Sequence, residues 1–346
     1  MIESTEASRL AAARAGDPHA FGNLTEPYRR ELQLHCYRML GSLQDAEDMV
    51  QETLLRAWRR LDTFRRHGSF RAWLYKIATN ACLDALDKRR RRALPTTAFP
   101  LTDPNAPLPA PVTDPIWLDP LPDAWLPAQS EGIENPEARY AAQESVRLAF
   151  VAALQILPPR QRAVLILRDV LDFRAREAAD LLELTVPAAN SLLHRARVKL
   201  TANYRPGQDE AKLPPPDDET TAALLNRYVR AWEMADVGGL VALLKEEATL
   251  AMPPWPVWYQ GRAAIRAVLP REVFGGHTPG RDRLQPIRAN GQPALALYRR
   301  NPDGVHTALA IQVLAVQPSA GYLAAITIFL NPSLFAAFGL PAQLEG

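Results

Sequence analysis

The sequence contains few cysteines, no long apolar run and, over one internal stretch, no basic side chain. Its 346 residues include two cysteines, Cys36 and Cys82, whose helical surroundings favour buried reduced thiols over a disulfide or a metal site. No stretch approaches the roughly 20 apolar residues of a membrane span, and the N-terminus has no signal-peptide core. The sequence therefore predicts a cytoplasmic protein that does not associate with a membrane.

Lysine and arginine are missing from residues 93–137, where seven carboxylates and many prolines occur. The prolines disfavour regular helix and favour an extended chain. The blocks on either side, residues 1–92 and 138–205, each carry about five net positive charges and are candidate nucleic-acid surfaces. The length and the 47% hydrophobic content predict two or three packed domains.

The stretch from Ser42 to Arg92 has the spacing of two consecutive amphipathic helices. Ser42 is a candidate cap of the first helix, with Asp45 as its capping-box partner, and Ser69 is a candidate cap of the second. The first helix has an acidic face, a short aromatic loop follows it, and the second helix ends in a run of basic residues. From the residues alone, the acidic face is an acid/base array, a metal site or a solvated surface, and the absence of a histidine pair argues against metal.

The two segments DAEDMVQETLLRAWRRLDTF and SFRAWLYKIATNACLDALDKRRR resemble region 2 of the extracytoplasmic-function (ECF) sigma factors. These proteins are promoter-recognition subunits of bacterial RNA polymerase. The resemblance implies a polymerase-binding surface made of Asp45, Glu47, Asp48, Gln51, Glu52 and Arg56. It also implies a surface for the melted minus-ten element, made of Phe64, Arg65, Ser69, Trp73, Lys76, Asn80, Lys88 and Arg89. Without the resemblance, Phe64 and Trp73 would be assigned to the core and the basic run to a solvated surface.

Residues 137–205 predict several helices that end in a helix-turn-helix. The stretch FRAREAADLLELTVPAANSLLHRARVKL resembles sigma region 4, which reads the minus-thirty-five promoter element, and Thr185 is a candidate cap of its second helix. Glu183 replaces the usual turn glycine, where a left-handed backbone would cost on the order of 1 kcal/mol. The resemblance implies DNA contacts from Arg174, Asn190, Ser191, His194, Arg195, Arg197 and Lys199.

Residues 93–136 form an acidic, proline-rich linker with two interpretations. One is a solvated spacer. The other is a docked segment in which apolar residues such as Trp117, Leu118 and Leu121 act as anchors while the carboxylates occupy a channel for nucleic acid. Sigma factors pass the corresponding linker through the polymerase, so the resemblance favours docking.

After a second linker, residues 206–218, the segment 219–346 predicts helices followed by a curved antiparallel sheet. Its order of elements, the sequence MPPWPVWYQG and the tail NPSLFAAFGLP resemble the SnoaL-like, nuclear-transport-factor-type α+β cone. Candidate pocket residues are Trp232, Trp258, Tyr259 and Tyr298. The sequence leaves two roles open for this domain. It binds a small-molecule ligand in the pocket, or it contacts the sigma domains. Asp236 and Asp282 are the nearest carboxylates, and no residue set specifies catalysis.

The sequence as a whole predicts a multidomain, non-enzymatic ECF-type sigma factor with two all-α domains and a C-terminal cone. Its expected partners are core RNA polymerase and promoter DNA, no cofactor is expected, and the cone is expected to regulate the sigma domains on the same chain. Two alternatives are a helix-turn-helix regulator with a ligand-sensing domain and a SnoaL-type enzyme with DNA-binding appendages.

Overall fold

The structure, a computed structural model, describes residues 2–64, 69–88, 91–112, 116–126, 145–204, 219–275, 279–317 and 321–344, with the backbone alone for 2–6. The chain forms two compact units. The first comprises Met1–Arg92, Trp125–Ser145 and Ala153–Asn203, and the second comprises Ala93–Ala124, Val146–Ala152 and Tyr204–Gly346. Within the described ranges, no helix is both long enough and apolar enough to span a membrane.

The N-terminal part of the first unit consists of four helices: α1 (Ile2–Arg14), α2 (Pro18–Leu40), α3 (Leu43–Arg59) and α4 (Phe70–Leu86). Side chains cap two of them. Asp17 accepts hydrogen bonds from the first turn of α2, and Ser42 Oγ accepts one from the amide of Asp45, 3.3 Å away. Ser69 occupies the cap position of α4, but its side chain makes no capping hydrogen bond. The predicted position is therefore correct, and the predicted side-chain cap is wrong.

The later helices are α5 (Leu148–Ile156), α6 (Pro159–Leu165), α7 (Ala175–Leu181) and α8 (Val186–Asn203). A π-helical turn follows α6, and residues 148–152 of α5 belong to the second unit. α7 and α8 are the two helices of the predicted helix-turn-helix. Thr185 Oγ1 accepts from the amide of Ala188, 3.3 Å away, and Glu183 has a φ of 55°, which confirms both the cap and the left-handed turn.

The second unit is an α+β structure. Its helices are α9 (Glu219–Glu233), α10 (Val237–Ala242), α11 (Arg262–Val268) and α12 (Leu334–Ala337). Its strands are β1 (Leu244–Ala251), β2 (Trp258–Gln260), β3 (Asp282–Ala289), β4 (Gln292–Arg300), β5 (His306–Gln317), β6 (Tyr322–Phe329) and β7 (Gln343–Leu344). The strand order is β2-β1-β6-β5-β4-β3, and β7 pairs with β5. All pairings are antiparallel except that of β1 with β6, which is parallel and departs from the predicted antiparallel sheet.

One face of this sheet packs against α9 and α11 around a single apolar core. The core includes Tyr228 and Trp232 from α9, Tyr259 from β2 and Leu297 from β4, each at most 2% exposed. Burial of such large side chains is the main force that stabilises a fold of this kind.

The linker packs within this second unit, so the solvated-spacer interpretation is wrong for its described residues up to 124. Leu118 and Leu121 have no exposed surface, and Phe99 stacks on Trp117 with ring centroids 5.7 Å apart. Pro95–Ala98 forms one helical turn, which the proline count did not predict. Proline is tolerated there because it occupies the first helical position, where the amide would have no partner.

Candidate nucleic-acid and polymerase interfaces

The acidic face of α3 is largely exposed. Glu47, Asp48 and Gln51 are exposed, while Glu52 is half-buried and binds Arg56, with 2.6 Å between Oε1 and Nε. Leu55 lies one turn beyond Gln51 and is 43% exposed. The sequence pattern did not mark Leu55, because the residue falls outside the apolar stripe.

Asp45 does not belong to that exposed face. Its carboxylate is buried and contacts Arg92, with 2.8 Å between Oδ2 and Nη2. The sequence places both residues on functional surfaces, one for the polymerase and one at the basic end of α4. The structure instead pairs them, because a buried carboxylate requires an opposite charge.

The residues predicted to hold the minus-ten element lie on α4 and just before it. Phe64 is buried and forms a cluster with Phe70 and Trp73, at centroid distances of 5.3 and 5.4 Å, so it is a core residue. Ser69 and Lys88 are exposed. Arg65 and Arg89 lie outside the described residues.

A cleft of about 230 Å³ opens between α3 and α4. Its lining includes three of the predicted minus-ten residues, Trp73, Lys76 and Asn80, together with Arg56 and Arg60. Glu183, from the turn of the helix-turn-helix, also lines the cleft. Its Oε1 lies 3.0 Å from Lys76 Nζ. A carboxylate thus occupies the cationic cleft in which the sequence predicts nucleic acid.

A cluster of aromatic and charged groups joins α4 to the segment before α7. Tyr75 is fully buried and meets Phe173 edge-to-face, with ring centroids 5.4 Å apart. The guanidinium of Arg71 lies 4.9 Å from the Tyr75 ring and 5.2 Å from the Phe173 ring, and Arg71 Nε pairs with Glu31 at 2.8 Å. Burial, reinforced by Arg38 and Arg71, lowers the pKa of nearby His35 to about 3.

Two buried arginines join α2 to later parts of the chain. Arg162 of α6 has no exposed surface and donates to the oxygens of Met39, Gln155 and Leu157. Burial lowers the pKa of Arg162 to about 9. The second arginine, Arg38, lies on α2 itself and donates a hydrogen bond of 2.7 Å to Ser145 Oγ. The buried guanidinium of Arg162 thus fixes one relative position of α2 and α6, and that of Arg38 holds α2 to Ser145, ahead of α5.

The outer surface of α8 presents the predicted minus-thirty-five residues. Asn190, Ser191, His194 and Arg195 are exposed, and so is Arg174 at the start of α7. Lys199 is half-buried.

Arg197 differs from these residues, because its Nε and Nη2 donate to the two carboxylate oxygens of Asp169 at 2.9 and 2.7 Å. Arg176, which the sequence prediction omitted, is exposed near the start of α7.

The four residues predicted to line a pocket do not converge. Trp232 and Tyr259 belong to the apolar core, whereas Trp258 Nε1 donates to the oxygen of Phe99 in the linker, 2.9 Å away. Tyr298 is on the opposite face of β4 from Leu297, and its hydroxyl donates to the oxygen of Pro341. The pocket prediction is therefore wrong in its geometry. Alternation along β2 separates the neighbours Trp258 and Tyr259, which the sequence grouped by residue type.

The candidate carboxylates of the cone are also engaged. Asp282 forms a double hydrogen bond with Arg299, each 2.8 Å long, and accepts from Trp232 Nε1. Asp236 caps α10 by accepting from the amide of Gly239.

Comparisons with known proteins agree with this architecture. Residues 24–92 match the Sigma-70 region 2 family model, and residues 147–200 match the Sigma-70 region 4 model. Over 335 residues the chain is 47% identical to the ECF RNA polymerase sigma factor SigG of Mycobacterium tuberculosis, covering 96% of this chain and 86% of that protein. It is 28% identical to SigJ of the same species, covering 90% and 91% of the two chains. The crystal structure of SigJ matches at a TM-score of 0.56 and 24% identity, over 92% of this chain and 98% of that one.

Two helical domains with a helix-turn-helix and a basic cleft define a promoter-recognition factor with a fused α+β cone. The chain belongs to the family of ECF RNA polymerase sigma factors. It acts in transcription initiation, with core RNA polymerase and promoter DNA as its partners. The resemblance drawn from region 2 and region 4 of the sequence is confirmed.

Proposed function

We propose that the chain is a sigma factor whose promoter-reading surfaces are joined to each other until it engages its partners, and whose cone regulates this state on the same chain. The observation that carries the proposal is the 3.0 Å contact between Lys76 and Glu183. Lys76 is assigned to the minus-ten element, and Glu183 is in the turn that presents the minus-thirty-five helix. The proposed domains are region 2 (1–92), a linker (93–136), region 4 (137–205), a second linker (206–218) and the cone (219–346).

The contact is incompatible with simultaneous reading of both elements. The elements take their names from positions about 25 base pairs apart, which is about 85 Å of B-form DNA at 3.4 Å per base pair. Two surfaces that touch through one ion pair cannot reach both. Promoter recognition therefore requires that α4 and α7 separate.

Separation would free the cleft for DNA. Lys76, Asn80 and Trp73 provide a cation, an amide and a ring, which are the groups that bind the phosphate, edge and face of an unstacked base. The exposed residues of α8 would read the duplex in the major groove. The exposed acidic residues of α3, together with Leu55, would dock on the polymerase through a salt-sensitive interface.

The cone has a regulatory role without catalysis in this proposal. Its buried carboxylate, Asp282, is neutralised by Arg299, and its large aromatic residues fill the core. A general base needs a substrate within hydrogen-bond reach, and these contacts leave Asp282 committed to the fold. The protein would act where RNA polymerase and DNA are, in the cytoplasm.

A cleavable crosslink tests the closed state. Lys76→Cys and Glu183→Cys are combined in the full chain and joined by a bis-maleimide reagent with a disulfide in its spacer. Cys36 and Cys82 are fully buried and have no surface for the reagent. Promoter opening by core polymerase is then measured. Opening is expected to fall at least tenfold and to recover after reduction of the spacer.

The two single-cysteine variants, treated with the same reagent, are the controls. Each sets the baseline activity for its own substitution, and reduction should not restore opening tenfold in either. If the crosslinked chain opens promoters as well as the reduced chain does, separation is not required and the proposal is wrong.

A further inference from the structure

Part of the cleft wall is a short 3-10 turn, Leu61–Thr63, and Thr63 lines the cleft itself. Hydrogen bonds hold this turn to the end of α3. The amide and the hydroxyl of Thr63 both donate to the oxygen of Arg60, over 2.9 and 2.7 Å. The amide of Phe64 then donates to the oxygen of Leu61 over 3.2 Å. The turn and the end of α3 are therefore one hydrogen-bonded structure, and the position of the turn sets one side of the cleft.

Phe64 directly follows the turn and connects it to α4 through its ring. The ring is buried and packs on Trp73, which lines the cleft, with centroids 5.4 Å apart. Phe70 contacts both rings, at centroid distances of 5.3 and 5.6 Å. In a close-packed cluster, displacement of one ring shifts its neighbours. The position of the Phe64 main chain therefore influences where the Trp73 ring lies in the cleft.

A side chain from a different helix holds the main chain at Phe64. Arg14, the last residue of α1, donates from Nη2 to the main-chain oxygen of Phe64. Within the described part of the chain, no second hydrogen bond joins the turn or Phe64 to a helix other than α3. None of the described carboxylates pairs with Arg14, so no ion pair competes with this contact. Arg14 therefore ties α1 to the cleft wall.

The connection between α1 and α2 explains the position of Arg14. Gly16 has a φ of 95°, a conformation that residues with side chains rarely adopt, and Asp17 directly after it caps α2. The inner face of α1 is fixed by Leu10 and Ala13, which are 6% and 3% exposed. A tight turn and a buried helix face thus hold the Arg14 backbone in one place, at a helix end where a positive charge is favourable.

Arg14 differs from the residues already assigned to the minus-ten element. It lies before residue 24, where the match to sigma region 2 begins, and it does not line the cleft. We propose that Arg14 is a positioning residue for minus-ten recognition. By holding the Phe64 oxygen, it keeps Thr63 and Trp73 in the places that an unstacked base requires. This inference rests on the proposed function, because it assumes that the cleft takes the opened strand.

Two substitutions in the full chain remove or keep the contact. Arg14→Met keeps most of the length of the side chain and removes every donor. Arg14→Lys keeps a positively charged donor, and one N–H group is enough for one carbonyl oxygen. Arg9→Met is the matched control, because Arg9 is exposed on the same helix and has no hydrogen bond or ion pair among the described residues.

Binding is measured with each chain assembled on core polymerase, using a fluorescent oligonucleotide of the non-template minus-ten strand from a promoter that the protein opens. A second series carries one abasic site at each position in turn, so the loss of affinity identifies the base that the cleft holds. One ordinary hydrogen bond corresponds to roughly five- to tenfold in an equilibrium constant. Arg14→Met is expected to weaken binding of the intact strand about fivefold and to lower the abasic penalty at the held base by a similar factor. Arg14→Lys should stay within about twofold of the unsubstituted chain, and Arg9→Met should change neither quantity.

The salt dependence separates positioning from direct contact with DNA. Removal of one phosphate contact on a single strand lowers the slope of log affinity against log salt by about 0.7. Arg14→Met is expected to leave this slope unchanged, and a fall of that size would show that Arg14 binds phosphate directly and would overturn the positioning role. Affinity for core polymerase should also be unchanged. A thermal melt identifies a variant that fails to fold, and if Arg14→Met does so, Arg14→Gln replaces it with the same expected losses, because its amide ends two bonds short of Nη2.

Asn80→Ala separates this inference from the proposed function, because Asn80 lines the cleft. If Asn80→Ala weakens binding of the strand and Arg14→Met does not, the positioning role is wrong and the assignment of the cleft stands. If neither variant weakens binding, both are wrong.

Discussion

The guanidinium of Arg162 in α6 donates a hydrogen bond to the main-chain oxygen of Met39 in the last turn of α2. The last carbonyl groups of a helix have no partner within the helix, so this contact caps α2 from another part of the chain. Arg162 lies within the match to sigma region 4, and Met39 lies within the match to region 2. A buried side chain of one region thus completes a helix of the other.

Replacing Arg162 tests this contact. Arg162→Lys keeps the positive charge. The ammonium group has fewer N–H donors than the guanidinium and lacks its planar arrangement, so the oxygens of Met39 and Gln155 lose hydrogen-bond partners. The free energy of unfolding should fall by about 2–4 kcal/mol, as expected when buried polar groups are left unsatisfied. Urea denaturation measures the change. Arg160→Lys, an exposed position on the same helix, should change it by less than about 0.5 kcal/mol.

Acid should destabilise the first unit through His35. The folded pKa of His35 is lowered to about 3 from 6.5, so between these values the unfolded chain binds a proton that the folded chain does not. Stability is therefore lost as the pH falls through this window, by about 2 kcal/mol between pH 7 and pH 5. His35→Gln has no proton to gain and should remove that part of the pH dependence. His19→Gln, at an exposed site, should leave the dependence unchanged.

Leu55 should contribute to polymerase binding without contributing to stability. Because the side chain is 43% exposed beside the acidic face of α3, Leu55→Ala should leave the melting temperature within about one degree. Its removal from a docked interface should weaken binding to core polymerase by roughly tenfold. Fluorescence titration measures the affinity. Leu101→Ala removes a similarly exposed leucine from the linker, and equal losses in the two variants would contradict the docking role of α3.

Arg195 and Arg197 should affect DNA binding differently, although they are two residues apart. Arg195 is exposed, so Arg195→Ala should lower the slope of log affinity against log salt by about 0.9. Arg197 is already paired with Asp169 through two hydrogen bonds, so Arg197→Ala should change the slope less and should also loosen the attachment of α8. Fluorescence anisotropy with minus-thirty-five DNA over a salt series distinguishes the two. Equal changes in slope would show that the ion pair does not persist on DNA.

Local features of the chain were predictable because they depend on neighbours in sequence. The cap at Thr185 and the left-handed Glu183 were both predicted from side-chain chemistry and position, and both are confirmed. The family resemblance was predictable for a related reason, since both helices of region 2 carry their pattern over nearly their whole length.

Only the tertiary structure decided which charged and aromatic side chains are free to bind a partner or a ligand. Asp45 and Arg92 neutralise each other across 47 residues, and Tyr298 lies on the opposite sheet face from the core. Periodicity shows which face of a helix or strand a residue occupies, but not which other element covers that face. Once a face is covered, a charged side chain on it needs an opposite charge as its partner. The linker shows this most clearly. Its composition indicated extended chain, whereas the hydrogen bonds of Trp258 and Asn290, more than 150 residues away, decided where it docks.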